Sequence, residues 1–201
     1  MTGFIVFEGP TDEPLARALM DDAGLAVFLA KSAQGKTKLD AQLAKYAAAA
    51  ERQPWFILRD LDQDAPCAPA WIEGRPKARW FCLRLAVRET EAWLLADRER
   101  FAEFFRVAPT RVPLDPDGLA DPKRTLVDLV RHSTSSRLKR DIVPADGAHS
   151  QVGPGYVTAI VEFASQHWRL AVAAQRSDSL RRARLALRGL GTRWRAFTSE
   201  A

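Results

Sequence analysis

Trp55-Phe56-Ile57-Leu58-Arg59-Asp60-Leu61-Asp62 runs four apolar residues into two aspartates that stand two positions apart. The apolar part has the length of a short buried strand. Pro54, just before it, ends an alanine-rich helical stretch over 38–52. A second run of the same kind, Phe4-Ile5-Val6-Phe7, closes in Glu8. Strands that lead into helical segments predict a parallel α/β sheet, in which the carboxyl ends of the strands share one edge where ligands bind. Glu8, Asp60 and Asp62 are therefore expected to meet at one place. In extended chain Asp60 and Asp62 point to the same face, about 6–7 Å apart along the backbone. That spacing suits a shared divalent cation. Clustered carboxylates repel one another until one takes up a proton, and a hard, oxygen-binding ion such as Mg²⁺ (or Mn²⁺) offsets the repulsion.

The remaining elements follow from caps and breakers. Thr11 is expected to cap a helix reaching about Ala23, with Asp12 and Glu13 in its first turn and Gly24 as its stop. Residues 25–30 read as a second strand and Trp80 to Val87 as a fourth, after an irregular crossover marked by Pro66, Pro69, Gly74 and Pro76. A helix from Glu89 to about Arg106 carries Glu89, Glu91 and Asp97. The proline-rich stretch from Ala108 to Pro122 reads as a loop between a sheet domain over 1–107 and a helical extension over 108–201 packed on it. Asp121-Pro122 starts a helix to about His132, and residues 133–155 read as polar and broken. The chain closes with helices from Tyr156 to about Gln175 and from Asp178 to about Arg188, the second stopped by Gly189 and Gly191. The fold class is α/β: a Rossmann-like, mainly parallel sheet flanked by helices, with a C-terminal helical extension.

At 201 residues and 47% hydrophobic the chain can bury a real core. Cys67 and Cys82, with no further cysteine, exclude a disulfide framework and a cysteine zinc site. Three scattered histidines disfavour a histidine metal site. Neither a basic-then-apolar leader nor an eighteen-residue apolar run is seen, so the expectation is a cytoplasmic protein with no membrane partner.

The net charge of +5 is uneven: residues 1–150 hold 22 basic and 22 acidic side chains, while 151–201 hold 8 arginines against 3 acids. Arg169, Arg176, Arg181, Arg182, Arg184, Arg188, Arg193 and Arg195 could present a phosphate-binding surface, with Arg181 and Arg182 as candidate substrate contacts. A solvated helix face in an arginine-rich chain explains the same pattern, since arginine outnumbers lysine 23 to 7. Trp168 and Trp194 could stack bases beside these arginines, although helical periodicity assigns Trp168 to the core. Gly153-Pro154-Gly155-Tyr156 could admit a phosphate at a helix N-terminus, or be a plain loop.

Ala30-Lys31-Ser32-Ala33-Gln34-Gly35-Lys36-Thr37 lies between a strand and a helix, as a phosphate-binding P-loop does. Ala30 holds the place of the motif's first glycine, and one glycine leaves the loop little freedom to wrap phosphates. Otherwise Lys36 and Lys38 are basic residues beside a substrate groove, or a solvated helix start.

A glutamate after the first strand and Asp-x-Asp after the third resemble the Toprim domain of topoisomerases, bacterial primases and overcoming-lysogenisation-defect nucleases. The runs Phe7-Glu8-Gly9-Pro10-Thr11-Asp12-Glu13, Arg59-Asp60-Leu61-Asp62, Val87-Arg88-Glu89-Thr90-Glu91-Ala92-Trp93-Leu94-Leu95-Ala96-Asp97, Asp121-Pro122-Lys123 and Gly153-Pro154-Gly155-Tyr156 look like an uncharacterised Toprim-like family. Its members are often encoded beside AAA-type ATPases in bacterial defence or mobile-element loci. The resemblance implies Mg²⁺-dependent phosphodiester cleavage of DNA or RNA, with an ATPase partner. Glu8 would serve as general acid/base or metal ligand, Asp60 and Asp62 as metal ligands, and Asp64 and Glu91 as candidate further ligands. Glu91 could equally be an exposed carboxylate at a helix start. Tyr46 and Tyr156 read as ordinary helical residues, so water is the expected nucleophile. A catalytically silent, ATPase-binding subunit and a homo-oligomer are compatible with the same residues.

Overall fold

The structure, a computed structural model, describes residues 2–200 and divides them into two compact units. The first comprises residues up to Val87 together with Ser179 onward; the second comprises Arg88–Asp178. The division thus falls at 87/88 and not in the proline-rich loop near 108, and the last helix belongs to the sheet unit.

The sheet unit contains β1 (Thr2–Phe7), α1 (Glu13–Asp22), β2 (Ala26–Ser32), α2 (Lys36–Asp40), α3 (Leu43–Ala49), β3 (Trp55–Asp60), α4 (Ala68–Ile72) and β4 (Phe81–Ala86). The four strands are all parallel, in the order β2-β1-β3-β4, giving the α/β class read from the sequence. The central strands β1 and β3 are apolar because both their faces are covered. Beneath one face, Val6, Ile57, Leu61, Leu83 and Leu85 pack with Leu39, Leu43, Tyr46 and Trp71. Each such side chain, fully buried, contributes about 1.5–3 kcal/mol. Aromatic contacts cross the strands: Phe4 packs on Phe28 and stacks on Trp55, which stacks in turn on Tyr46. After β1 the chain builds β2 on one side and then returns to place β3 on the other. The strand order therefore reverses between β1 and β3, the place outside whose carboxyl ends open α/β sheets generally bind ligands.

The second unit is helical: α5 (Thr90–Ala96), α6 (Arg98–Phe105), a 3₁₀ turn at Pro109–Arg111, α7 (Pro122–Arg131), α8 (Ser136–Ile142), α9 (Tyr156–Gln166) and α10 (Leu170–Ala173). The helix expected over 89–106 is two helices meeting at Asp97, whose fully buried carboxylate accepts the backbone N–H and the guanidinium of Arg169. Asp121 caps α7 by accepting the Arg124 N–H at 2.8 Å, with Pro122 as the first helical residue, as read from the sequence. The stretch over 133–155 is less broken than expected, because Ser135 caps α8. Gly153 and Gly155 donate their N–H groups to the carbonyls of Ile142 and Asp141, so this turn is a clamp on the end of α8. A Cβ at either position would lie under 3 Å from Asp141 atoms.

The final helix, α11 (Asp178–Ser199), runs straight through Gly189 and Gly191 and does not stop at them as expected. Gly191 is needed for packing: a Cβ there would sit 2.2 Å from the Ala23 carbonyl oxygen at the end of α1, while at Gly189 the nearest group is Arg193 at 3.4 Å. Elsewhere Gly→Ala inside a helix gains up to about 1 kcal/mol. Gly189→Ala is accordingly expected to stabilise the protein by about 0.5–1 kcal/mol. Gly191→Ala is expected to destabilise it by about 1–3 kcal/mol through overpacking. Urea midpoints of the two variants check this, and a gain in both would refute the close approach. Among the described residues no helix is long and apolar enough to cross a membrane.

Candidate functional site

Glu8 follows β1 directly and Asp60 is the last residue of β3, so the sheet alone brings them to the β1/β3 reversal. The Glu8 carboxylate accepts the Asp60 backbone N–H at 2.9 Å. Burial pushes the Glu8 carboxyl up to about 7; the Asp60 N–H and Arg59 oppose this, and the negative charges of Asp12 and Asp62 add to it. Asp12, itself buried, accepts the Gly9 N–H at 2.9 Å and thereby fixes the turn after β1.

Asp62 reaches the same edge by a route other than extended chain. β3 ends at Asp60, Leu61 turns into the core, and Asp62 takes a left-handed φ of +49° within a tight turn closed by the Asp64 N–H on the Leu61 carbonyl. Aspartate tolerates this conformation better than most residues. The same-face alternation of Asp60 and Asp62 therefore does not hold, although both stay at the carboxyl end of β3. The turn also brings Asp64 back, where its carboxylate accepts Arg59 at 2.6 Å and Lys36 at 2.9 Å. Both of its oxygens are engaged by cations.

Lys36 joins this group from the other side. Gln34 and Gly35, at φ +60° and +106°, turn the chain out of β2, and the Lys36 ammonium donates to Asp62 at 2.7 Å as well as to Asp64. The same loop answers the P-loop reading. The N–H groups of Ala33, Gln34 and Gly35 donate to the Phe7 carbonyl, the Ser32 hydroxyl and the Glu8 carbonyl. Engaged in tying β2 to β1, these amides are not turned outward to cradle a phosphate. Lys38 extends only to Gln34, at 3.2 Å.

Arg59, inside β3, carries no motif that marks it in the sequence. Its guanidinium is 2% exposed and holds Asp40 through two 2.9 Å hydrogen bonds, Asp64, and the Asp60 carbonyl. Arg59 and Arg75 both lie over the Trp71 ring at 4.1 Å. The signal was available, since an arginine inside a strand buried on both faces needs partners.

Glu91 belongs to the helical unit, where it is 1% exposed and not the solvent-facing carboxylate that a helix start suggested. Its Oε1 accepts the Tyr156 hydroxyl at 2.7 Å and pairs with Lys123 at 3.5 Å, while Oε2 is buried with no hydrogen-bond partner. Glu89 accepts the Lys123 N–H at 2.8 Å, and burial followed by the charge of Glu91 raises its carboxyl above the ordinary range. Both tyrosines are structural: Tyr46 stacks on Trp55 and Tyr156 holds Glu91.

At least five of the eight C-terminal arginines are engaged internally, among them Arg195, which donates to the Ala23 carbonyl at 3.1 Å. Arg169 pairs with Asp97 and Arg176 with Glu99. Arg184 and Arg188 both chelate Asp22; although burial works against its charge, their hydrogen bonds pull its carboxyl down to about 2. Arg181 and Arg182 lie exposed on α11. Trp168 is buried and donates to the Trp93 carbonyl at 2.9 Å, in keeping with its assignment to the core, and Trp194 packs edge-on against Trp80.

Glu8, Asp60 and Asp62 are hard oxygen donors at one sheet edge, and the Glu8 carboxyl is raised first by burial, with the charges of Asp12 and Asp62 adding less. Among the described residues no three Asp, Glu, His or Cys side chains are gathered around one point, and the cation that Asp62 meets is Lys36. The donor set fits in kind, but the expected gathering of the three carboxylates at one point is not found among the described residues: Glu8 accepts the Asp60 backbone N–H and Asp62 is held by Lys36. Compared with protein-family models, curated proteins and solved structures, the chain matches none.

Proposed function

We propose that this chain is a Mg²⁺- or Mn²⁺-dependent phosphodiester hydrolase acting on nucleic acid, with the Toprim-like arrangement of acids at its sheet edge. The observation that carries this reading is the Glu8 carboxyl: it meets Asp60 at the β1/β3 reversal and titrates near neutrality beside Asp62. Asp60 and Asp62 would hold the ion, with Glu8 alongside. When bound, such an ion polarises a phosphodiester oxygen and offsets developing negative charge. Glu8, whose carboxyl burial raises above the ordinary range, would exchange a proton with the attacking water or the departing oxygen as a general acid–base group. Tyr46 and Tyr156 are held in packing and in a hydrogen bond to Glu91, which favours water as the nucleophile. The ATPase partner, and a setting in defence or mobile elements, rest on the family resemblance.

The test is cleavage of single-stranded DNA, double-stranded DNA and RNA by the purified chain, alone and with an ATPase encoded beside it. Cleavage is expected to need Mg²⁺ or Mn²⁺, to stop with a chelator, and to fall by at least about 10²-fold in Asp60→Asn, which removes a ligand charge. Absence of both Mn²⁺ binding and cleavage would remove the nuclease reading in favour of a non-catalytic partner-binding subunit.

A further inference from the structure

Lys36 occupies an unusual place for a residue that begins a helix. The sheet order puts β2 on one side of β1 and β3 on the other. Lys36 starts α2 on the β2 side, while Asp62 and Asp64 follow β3. Its two ion pairs, at 2.7 and 2.9 Å, therefore span the end of β1, the strand that delivers Glu8. The reach is built into the backbone: consecutive positive φ values at Gln34 and Gly35 turn the chain out of β2, and the Gly35 N–H is anchored on the Glu8 carbonyl. The ammonium is only about one-third exposed, as are its two partners, so solvent screens these pairs less than an ordinary surface pair.

Asp62 is also one of the carboxylates that the reading above assigns to the divalent ion. An ammonium and a divalent cation at one carboxylate repel each other, so each weakens the other's hold. Asp64 stays bound to Arg59 when Lys36 leaves, so the vacated carboxylate keeps a cationic partner.

We propose, resting on the metal-site reading above, that Lys36 is a tethered cation that shares Asp62 with the divalent ion and is displaced when the ion binds. The displaced ammonium is then free to meet a phosphate of the substrate, so that metal and polyanion bind cooperatively while either alone binds weakly. Such coupling is reciprocal by linkage: whatever factor the polyanion adds to metal affinity, the metal adds to polyanion affinity.

The test is calorimetric titration of Mn²⁺ into the full chain, with and without a short non-cleavable phosphorothioate oligonucleotide, for the native protein, Lys36→Met and Lys36→Arg. Lys36→Met is expected to bind Mn²⁺ at least about tenfold more tightly than the native chain when no oligonucleotide is present, since a competing charge has gone. The oligonucleotide is expected to tighten Mn²⁺ binding to the native chain and to leave Lys36→Met nearly unaffected. Lys36→Arg, which keeps the cation, is expected to resemble the native chain, and urea midpoints of both variants establish that they are folded. Equal Mn²⁺ affinity in the native chain and a folded Lys36→Met would overturn the competition while leaving the metal site standing. Absence of Mn²⁺ binding in all three proteins would overturn the metal site and the competition together.

Discussion

Glu8→Gln is expected to lower divalent-dependent cleavage by about 10²–10⁴-fold, the range typical of a lost general acid–base group, while making the folded chain more resistant to urea above neutral pH. Both effects come from one property. The Glu8 carboxyl titrates at about 7 in the folded chain because burial, helped by Asp12 and Asp62, disfavours its charge, whereas its ordinary value is 4.5. Between those two values the folded chain binds more protons than the unfolded chain. Stability therefore falls as pH rises through this window, and the loss is complete above about 7. Glutamine cannot ionise, and its amide oxygen can still accept the Asp60 N–H that Glu8 accepts at 2.9 Å. The variant should accordingly gain most over the native chain at pH 8 and little at pH 5, as read from urea midpoints at the two values. In the pH–rate profile of the native chain a bend from the Glu8 carboxyl is expected, and it should be absent from the residual rate of the variant. Undiminished cleavage would take Glu8 out of the chemistry, and parallel pH dependence of the two midpoints would show that its carboxyl titrates normally.

The parallel sheet, and the delivery of Glu8 and the end of β3 to one edge, were legible in the sequence because they depend on apolar runs of strand length and on an edge that every parallel sheet possesses; the gathering of three carboxylates at one point, which the same reasoning predicts, is not found among the described residues. Asp62 was placed at the right end of β3 for an incomplete reason: extended-chain alternation cannot anticipate a left-handed turn, which aspartate permits without announcing it. Three features went unread because they are long-range. Gly191 looks like a helix stop until Ala23 is known to lie against it. The arginines of α11 look like a phosphate surface until Asp22 is found beneath Arg184 and Arg188. Lys36 looks like the lysine of a P-loop until its loop amides prove to be donating to β1 and to Ser32. In each case the local pattern allows the first reading and a partner distant in sequence changes it; for Gly191 it overturns it, since α11 runs on to Ser199.

Arg59→Ala is the substitution expected to cost most in stability, about 3–5 kcal/mol, the range for removing one member of a buried ion pair. Arg59 is 2% exposed and serves three groups at once: both oxygens of Asp40, one oxygen of Asp64 and the carbonyl of Asp60. Truncation leaves these acceptors facing an empty space beside Trp71, on which the guanidinium now lies. Asp40 and Asp64 are about one-quarter exposed and can regain some water, which holds the loss toward the lower end of the range. Lysine keeps the charge but cannot supply a planar fork to Asp40 while reaching Asp64, so Arg59→Lys should recover only part of it. The coupling is measurable: Arg59→Ala and Asp40→Ala together should destabilise by less than the sum of the two single changes, because each removes the other's partner. Raised salt should leave the Arg59 deficit nearly unchanged, since a buried pair is poorly screened. A loss below about 0.5 kcal/mol, the size of an ordinary surface change, would mean that Arg59 does not organise the acids. A large loss accompanied by weaker Mn²⁺ binding would tie the stability of the β3 turn to the geometry of the site, since the arginine that holds Asp64 also holds the backbone of Asp60.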